Sequence, residues 1–180
     1  AGWPLVAIGG VSILSGLAYT AGPYPLGYIG LGDVFVLVFF GGVAVGGTYY
    51  VQALTLTPRV ALAAIPVGLL ATAILVVNNL RDRDGDARVG KRTLVVRFGE
   101  RFGRRQYAAC LVLAYGLPAL AVALGHVSVG WLLPLVSLPL ALIQLRALRT
   151  VDGAALNPHL GATARLQLIY GLLAAGGALL

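Results

Sequence analysis

Charged side chains are scarce in this sequence. Only 11% of its 180 residues are Asp, Glu, Lys or Arg, whereas a soluble globular domain usually carries about a quarter. Hydrophobic residues make up 59% of the chain, and the mean hydropathy is +0.90. This composition excludes an ordinary soluble domain and indicates an integral membrane protein.

The sequence contains one cysteine and no methionine. The single cysteine, Cys110, lies in an apolar run, so the sequence offers neither a disulfide framework nor a cysteine-based zinc site, and we expect a buried hydrophobic side chain. There is no methionine, and the chain begins at Ala1 without a basic segment or a cleavage site typical of a signal peptide. We therefore expect the chain to be the C-terminal part of a longer protein.

The apolar residues are grouped in segments of roughly 18 to 22 residues, about the length that an α-helix needs to cross a membrane. Segments this long and uniformly apolar favour helices over barrel strands, because a backbone in lipid must satisfy its own hydrogen bonds. The sequence thus predicts an all-α fold, a polytopic transmembrane bundle of about six helices that forms a single domain over residues 1–180. The predicted spans cover residues 3–20, 32–52, 60–80, 106–125, 129–148 and 163–180.

Basic residues are concentrated in two connections between these spans. Nine of the thirteen Lys and Arg residues lie between Arg81 and Arg105, and three more lie between Arg146 and Arg165. Because basic loops stay on the cytoplasmic side of a membrane, we expect both connections there, together with Thr20–Gly32 by alternation. This topology explains the net charge of +7 without a nucleic-acid partner.

The polar string "NNLRDRDGDARVGKRT" directly follows the third apolar span. If that helix continues for one or two turns, Asn78, Asp82 and Asp86 are four residues apart on one face, whereas Asp84 points to nearly the opposite side. Carboxylate and amide oxygens suit Mg²⁺, which commonly bridges to substrate phosphates. We therefore predict that Asp82 and Asp86 bind metal, with Asn78 or Asn79 in support. Exposed ion pairs at a membrane surface are the alternative explanation.

Basic side chains accompany these acids in the motif loop predicted over about residues 81–105. Arginine and lysine donate strong, charge-assisted hydrogen bonds to phosphate oxygens. A diphosphate held by the metal would be neutralised by such groups. The candidate diphosphate-binding residues are Arg81, Lys91, Arg92 and Arg88.

Two long strings resemble one family. "NNLRDRDGDARVGKRTLVVRFG" (Asn78–Gly99) resembles the second aspartate-rich motif of the UbiA superfamily of membrane prenyltransferases, in the form NNxRDxxxDxxxGKxT of its 1,4-dihydroxy-2-naphthoate branch. "AYTAGPYPLGYIGLGDVFVLVFFGGVAVGGTYYVQ" (Ala18–Gln52) is similar to the same branch. The resemblance aligns the six spans with helices four to nine of a nine-helix fold, which leaves helices one to three and the first aspartate-rich motif absent.

The resemblance implies an enzyme of menaquinone synthesis in the bacterial inner membrane, with its active-site loops in the cytoplasm. Such an enzyme uses Mg²⁺ to transfer a polyprenyl group from prenyl diphosphate to 1,4-dihydroxy-2-naphthoate, with decarboxylation, giving demethylmenaquinone. The resemblance implies catalytic roles for Asp82 and Asp86. Tyr19, Tyr24 and Tyr28 are candidates to contact the aromatic substrate, although tyrosine is also enriched at membrane interfaces.

Other functions remain open on the sequence alone. One alternative is a prenyltransferase of the same superfamily that acts on another aromatic acceptor. Another is a truncated membrane fragment that is inactive because half of its metal site is missing. A CDP-alcohol phosphatidyltransferase is disfavoured, because "DGDAR" (Asp84–Arg88) is one residue short of the DGxxAR spacing and no later GxxxDxxxD follows. A transporter is disfavoured because no ionisable residue lies in the middle of a predicted span. His126 and His159 are expected to be solvated loop residues.

Overall fold

The computed structural model describes residues 2–20 and 25–180, and this part of the chain contains helices and connecting turns without a β-strand. All six predicted spans are helical, which confirms the all-α bundle. One further short helix lies in the motif region. In chain order, the helices are α1 Gly2–Thr20, α2 Gly32–Ala53, α3 Pro58–Arg88, α4 Leu94–Phe98, α5 Glu100–Ala123, α6 Val129–Ala147 and α7 Asn157–Ala178, and a single 3-10 turn, Gly153–Leu156, precedes α7.

Four of the described helices, α2, α3, α5 and α6, are long and apolar enough to cross a membrane. The chain is therefore an integral membrane protein. α1 contains a shorter apolar stretch, Leu5–Thr20. α7 has sufficient length, at 22 residues, but Asn157, His159, Thr163 and Arg165 make its first half more polar. The six predicted spans thus correspond to six helices, of which four have both the length and the composition of a full span.

The predicted boundaries differ most from the structure in the motif region. α3 continues past the apolar run to Arg88, as the four-residue spacing of the polar side chains requires. α5 begins at Glu100, earlier than the predicted residue 106. Gly99, with a φ of 83°, separates it from α4, and glycine adopts such a conformation without steric cost. Residues 81–105 are therefore mostly helical and not a loop, because helices continue into the polar region beyond their apolar spans.

The last helix also begins earlier than predicted. It starts at Asn157 and includes His159, whose Nδ1 lies 2.8 Å from Oε1 of Gln144 on α6. The expectation that His159 is a solvated loop residue is therefore wrong, because polar side chains paired with a neighbouring helix extend α7 beyond its apolar segment. His126 is exposed, as expected.

Two membrane helices are irregular. In α2, the ten residues Leu37–Gly46 form wider, π-helical turns. In α6, the nine residues Val129–Ser137 form tighter, 3-10 helical turns around Pro134, which has no N–H for the α-helical hydrogen-bond ladder. The apolar composition of both segments predicts a membrane helix. It does not distinguish an α-helix from a π-helix or a 3-10 helix.

α3 forms the centre of the bundle and packs against α2, α5 and α7. Leu70, Val76 and Val77 of α3 are fully buried, as are Tyr107 of α5 and Tyr170 of α7. Cys110 is also buried in this core, which confirms the expectation for the single thiol. The core therefore supports α3 from several sides and holds its polar end in a defined position.

Glycines permit the close crossing of α2 and α3. A Cβ atom at Gly68 would lie 2.6 Å from the carbonyl oxygen of Leu37, and one at Gly41 would lie 2.7 Å from that of Ala64. Only glycine allows backbones to approach this closely, as is common where membrane helices cross. The crossing places the first turns of α2 alongside the second half of α3.

Three connections meet at one end of the bundle, as the sequence predicts. The backbone N–H of Arg92 donates to the carbonyl oxygen of Tyr28 at 2.7 Å, and the Arg97 guanidinium donates to that of Ile29 at 2.8 Å. Near the start of α5, Arg104 pairs with Asp152 in the connection between α6 and α7. The glycine- and tyrosine-rich connection and both basic connections therefore surround the polar end of α3.

A buried hydrogen bond between α5 and α7 gives a test of this packing. The Tyr107 hydroxyl lies 3.1 Å from Oγ1 of Thr163, which itself donates to the carbonyl oxygen of His159. Tyr107→Phe is expected to lower the free energy of unfolding by about 1 kcal/mol, because a buried acceptor loses its donor while the ring is retained. Unfolding in detergent micelles measures the loss. Tyr49→Phe, at an exposed tyrosine, is the matched control, and an equal loss in both variants would contradict the prediction.

Candidate functional site

The polar end of α3 reaches beyond the apolar part of the bundle. With 31 residues and a rise of 1.5 Å per residue, the helix is about 46 Å long, whereas the hydrocarbon core of a membrane is about 30 Å thick. The apolar segment of α3 ends at Leu80, so the turns from Arg81 to Arg88 lie outside the hydrocarbon. The predicted aspartate and asparagine ligands therefore lie at the end of a rigid helix, and the three connections surround this end.

Arg81 organises one half of this site. Its Nε and Nη2 atoms donate to the two carboxylate oxygens of Asp82 at 2.7 and 2.6 Å. Nη2 also donates to Oδ1 of Asn78 at 2.7 Å, and Nη1 donates to Oδ1 of Asn157 on α7 at 3.1 Å. These hydrogen bonds from Arg81 hold the pKa of the Asp82 carboxyl below its usual value. Asp82 is therefore ionised at neutral pH, as an oxygen ligand for a cation must be.

Asp86 and Asn79 form the other half, on the more buried side of α3. Asp86 is 9% exposed, and the Lys91 ammonium lies 3.2 Å from its Oδ1 and 3.0 Å from its Oδ2. Asn79 is seven residues earlier, nearly two helical turns, and so occupies almost the same side of the helix. It is 2% exposed, and its Oδ1 accepts no hydrogen bond from the described residues. The predicted stripe is thus divided, since Asn78 and Asp82 bond to Arg81 and Asp86 bonds to Lys91.

The oxygen atoms of this helix end suit a hard divalent cation. Among residues 2–20 and 25–180, no three His, Cys, Asp or Glu side chains come together as a metal site, so the donors are two carboxylates and amide oxygens. Mg²⁺ is typically held in this way, by one or two carboxylates together with water and substrate phosphates. The unpaired Oδ1 of Asn79 is a further oxygen ligand without a protein donor. The two carboxylates therefore suit such an ion chemically, and metal binding by Asp82, Asp86, Asn78 and Asn79 stays a prediction.

The remaining charged residues of the motif lie further out. Asp84 has a 76% exposed side chain and pairs with Arg83 at 3.0 Å, as expected for the opposite face of α3. Arg88 is exposed and donates to the carbonyl oxygen of Asp84. The Arg92 side chain is also exposed, while its backbone holds the connection before α2. The structure brings Arg81 and Lys91 to the aspartates, and the roles of Arg88 and Arg92 in diphosphate binding stay predictions.

Of the three predicted tyrosines, Tyr19 lies beside the site. It is half-buried at the end of α1, and a Cβ atom at Gly32, next to Asp33, would lie 3.0 Å from its hydroxyl oxygen. Tyr28 is 42% exposed and contributes its backbone carbonyl to the contact with the motif region. Tyr24 lies outside the described residues. Tyr19 is therefore the tyrosine whose position agrees best with a role in aromatic-substrate binding.

An apolar cavity of about 410 Å³ lies between α1 and α2 and extends away from Tyr19. The Tyr19 and Phe35 rings, with centroids 6.4 Å apart, mark its polar end. Cavities with predominantly apolar walls and a few polar groups at one end are typical of binding sites for hydrophobic ligands. Its lining residues are Ser12, Ser15, Gly16, Tyr19, Thr20, Phe35, Val36, Phe39 and Phe40.

The sequence interpretation missed two polar residues beside the site, Asp33 and Gln106. Asp33, in the first turn of α2, is 6% exposed and accepts a hydrogen bond from Nε2 of Gln106 on α5 at 2.8 Å. The two residues are far apart in the sequence. They belong to helices that the sequence predicts as membrane spans, without functional residues. One signal was available, since Asp33 is one of only six acidic residues in the whole chain.

Comparisons with known proteins identify the family of this chain. The family model described as the UbiA prenyltransferase family matches residues 1–169. The chain is similar to proteins named 1,4-dihydroxy-2-naphthoate octaprenyltransferase from Escherichia coli (strain K12), with 47% identity over 92% of the chain and 54% of that protein, and from Mycobacterium tuberculosis (strain H37Rv), with 40% identity over 96% and 58%. A Synechocystis 2-carboxy-1,4-naphthoquinone phytyltransferase is 29% identical over 80% of the chain and 47% of that protein. The chain spans about half the length of these relatives.

Proposed function

Because the chain belongs to the UbiA prenyltransferase family, we propose that it takes part in transferring a polyprenyl group from prenyl diphosphate to 1,4-dihydroxy-2-naphthoate. The ring carboxylate is lost, and demethylmenaquinone is the product. One observation carries this proposal. The Arg81–Asp82 and Lys91–Asp86 pairs occupy neighbouring turns at the end of α3, which gathers acids for a cation and bases for a diphosphate in one place.

The acidic half of the site supports a role in metal binding. Asp82 and Asp86, with Asn79 and Asn78, would hold Mg²⁺, which supplies positive charge that stabilises the departing diphosphate. The four side chains belong to consecutive turns of one rigid helix, so their oxygens are positioned before substrate binds. Such preorganisation reduces the cost of arranging charges during the reaction.

The basic half supports a role in binding the diphosphate. Arg81 presents a planar fork of donors, and Lys91 presents a compact positive charge. Both now neutralise aspartates, so their charges are held at the site in the absence of substrate. As the C–O bond of the prenyl diphosphate breaks, its electron pair passes to the diphosphate oxygen, and hydrogen bonds from Arg81 and Lys91 stabilise that oxygen charge.

The apolar cavity supports a role in protecting the prenyl group. The allylic carbon left by the diphosphate is electrophilic, and a ring carbon of the acceptor must reach it before water does. The cavity between α1 and α2 would hold the first isoprene units beside Tyr19, whose ring would contact the aromatic acceptor. The basic connections favour a cytoplasmic position for this end of the bundle, in the inner membrane of a bacterium.

An assay in membranes tests the proposal directly. The chain itself, and a version extended at its N-terminus to the length of its relatives, are incubated with 1,4-dihydroxy-2-naphthoate, an all-trans prenyl diphosphate and Mg²⁺. We expect mass spectrometry to detect the prenylated quinol, and we expect EDTA to abolish it and excess Mg²⁺ to restore it, because the leaving group then regains its counter-charge.

The outcomes of this assay separate the alternatives. Product from the extended version alone would show that this chain needs the first aspartate-rich motif. Product only with a different aromatic acceptor would identify another prenyltransferase of the same family. If neither version forms product with any aromatic acceptor while the protein is folded, prenyl transfer to an aromatic ring is wrong for this protein.

A further inference from the structure

Asp33, which is buried, and Gln106, which is partly buried, form a polar pair that neither the cation nor the diphosphate requires. Nε2 of Gln106 donates to Oδ1 of Asp33 at 2.8 Å. The amide is therefore oriented with its Oε1 away from Asp33, and this Oε1 is buried without a donor among the described residues. Burying an unpaired acceptor and a carboxylate is costly. In a membrane protein, such an ionisable residue commonly marks a functional site.

Packing contacts place Asp33 against the face of α3 that leads to Asn79. The Thr72 hydroxyl lies 3.5 Å from the backbone carbonyl oxygen of Asp33, and the Leu75 side chain lies against Gly32. Thr72, Leu75 and Asn79 are three to four residues apart and therefore follow one face of α3. Asn79 is thus the next polar group along the face that contacts the start of α2. The Tyr19 hydroxyl also lies against the start of α2, since a Cβ atom at Gly32 would be 3.0 Å from its oxygen.

Oε1 of Gln106 is a buried hydrogen-bond acceptor without a donor in the described part of the chain, and Asp33 adds a carboxylate. A complementary ligand brings O–H donors on an apolar body, because the Leu75 side chain lies against Gly32, next to Asp33. A hydroxylated aromatic ring has this chemistry. Its hydroxyl edge would face Asp33, since a ring carboxylate there would be repelled.

We propose that Asp33 and Gln106 bind the aromatic acceptor by accepting a hydrogen bond from one of its hydroxyl groups. The identity of that acceptor rests on the proposed function. A hydroxyl that donates to a carboxylate releases more electron density into its ring, and a fixed ring orientation holds the reacting carbon near the allylic carbon. The pair would therefore position and activate the acceptor, while Asp82 and Asp86 serve the leaving group.

Steady-state kinetics of Asp33→Asn test the proposal in whichever form of the protein makes product. Asparagine keeps the side-chain size, and its Oδ1 still accepts from Gln106, so the fold is retained. We expect the KM for the acceptor to rise about tenfold, as for loss of a hydrogen bond to a charged group. The KM for prenyl diphosphate and the Mg²⁺ requirement should stay unchanged. Asp84→Asn makes the same chemical change at an exposed position and should leave all three values unchanged.

Equilibrium binding keeps this inference separate from the proposed function. Quenching of the protein's tryptophan fluorescence in lipid nanodiscs is measured with 1,4-dihydroxynaphthalene and with 1,4-dimethoxynaphthalene, which has no hydroxyl donor. The parent protein should bind the dihydroxy compound more tightly, and Asp33→Asn should remove that difference. Asp33 also lies in the first turn of α2, where an acid stabilises the helix dipole, so a purely structural role would lower the thermal stability and weaken both probes equally.

The results distinguish the two ideas. The protein could prefer the dihydroxy probe through Asp33 and still form no product with any aromatic acceptor. That result would support this binding site and contradict the proposed function. Product formation with an unchanged acceptor KM in Asp33→Asn, or equal binding of both probes by the parent protein, would overturn the assignment of Asp33 and Gln106 and leave the proposed function in place.

Discussion

Asp86→Asn is expected to reduce product formation about 10³-fold, the upper range for losing one preorganised electrostatic contact to a transition state. The substitution keeps the shape of the side chain but removes the negative charge that a cation and Lys91 both require. Asp86 is largely buried, so water replaces the lost ligand poorly. Product is measured by mass in the form of the protein that is active, at saturating concentrations of both substrates.

Asp84→Asn is the matched control for this experiment. Asp84 is only two residues away, but its side chain is 76% exposed and pairs with Arg83 on the outer face of α3. Changes at such surface positions usually alter stability by less than about 0.5 kcal/mol, and we expect activity close to that of the parent. Comparable activity in both variants would reject Asp86 as a ligand, and a larger loss in Asp84→Asn would place the cation on the other face of the helix.

Gly68→Ala is expected to destabilise the bundle by about 1–3 kcal/mol, the usual cost of forcing extra volume into a well-packed site. The new Cβ would lie 2.6 Å from the carbonyl oxygen of Leu37 and 3.0 Å from the Cα of Gly41. Both neighbours are backbone atoms, so relief requires that α2 and α3 move apart. Because α2 carries Asp33, we expect weaker acceptor binding together with the lower unfolding midpoint in detergent micelles.

Gly42→Ala and Gly47→Ala are controls in the same helix pair. A Cβ at either position would have no atom within 4 Å, so alanine introduces no clash there. These variants should be as stable as the parent or more so, since alanine has the higher intrinsic helix propensity. If all three substitutions have the same effect, the close crossing at Gly68 does not determine the stability of the bundle.

The composition of the chain was sufficient to predict most of the fold. Apolar segments of spanning length predict helices because lipid leaves the backbone no other partner for its hydrogen bonds. The spacing of Asn78, Asp82 and Asp86 places them on one face only if α3 continues beyond its apolar segment, and the structure shows that the helix continues to Arg88. The start of α5 and the start of α7 were predicted too late, because hydropathy detects only the part of a helix that contacts lipid.

The sequence by itself determined the family, the helical class and the turn of α3 that carries the aspartates, since each depends on composition or on spacing within a few residues. Only the tertiary structure decided which groups meet across helices. Arg81 reaches Asn157, the backbone of Arg92 holds Tyr28, and Asp33 pairs with Gln106. These contacts depend on how helices cross and rotate against one another. The crossing and rotation of the helices are determined by packing over the whole bundle. They cannot be predicted from a local pattern in a uniformly apolar span.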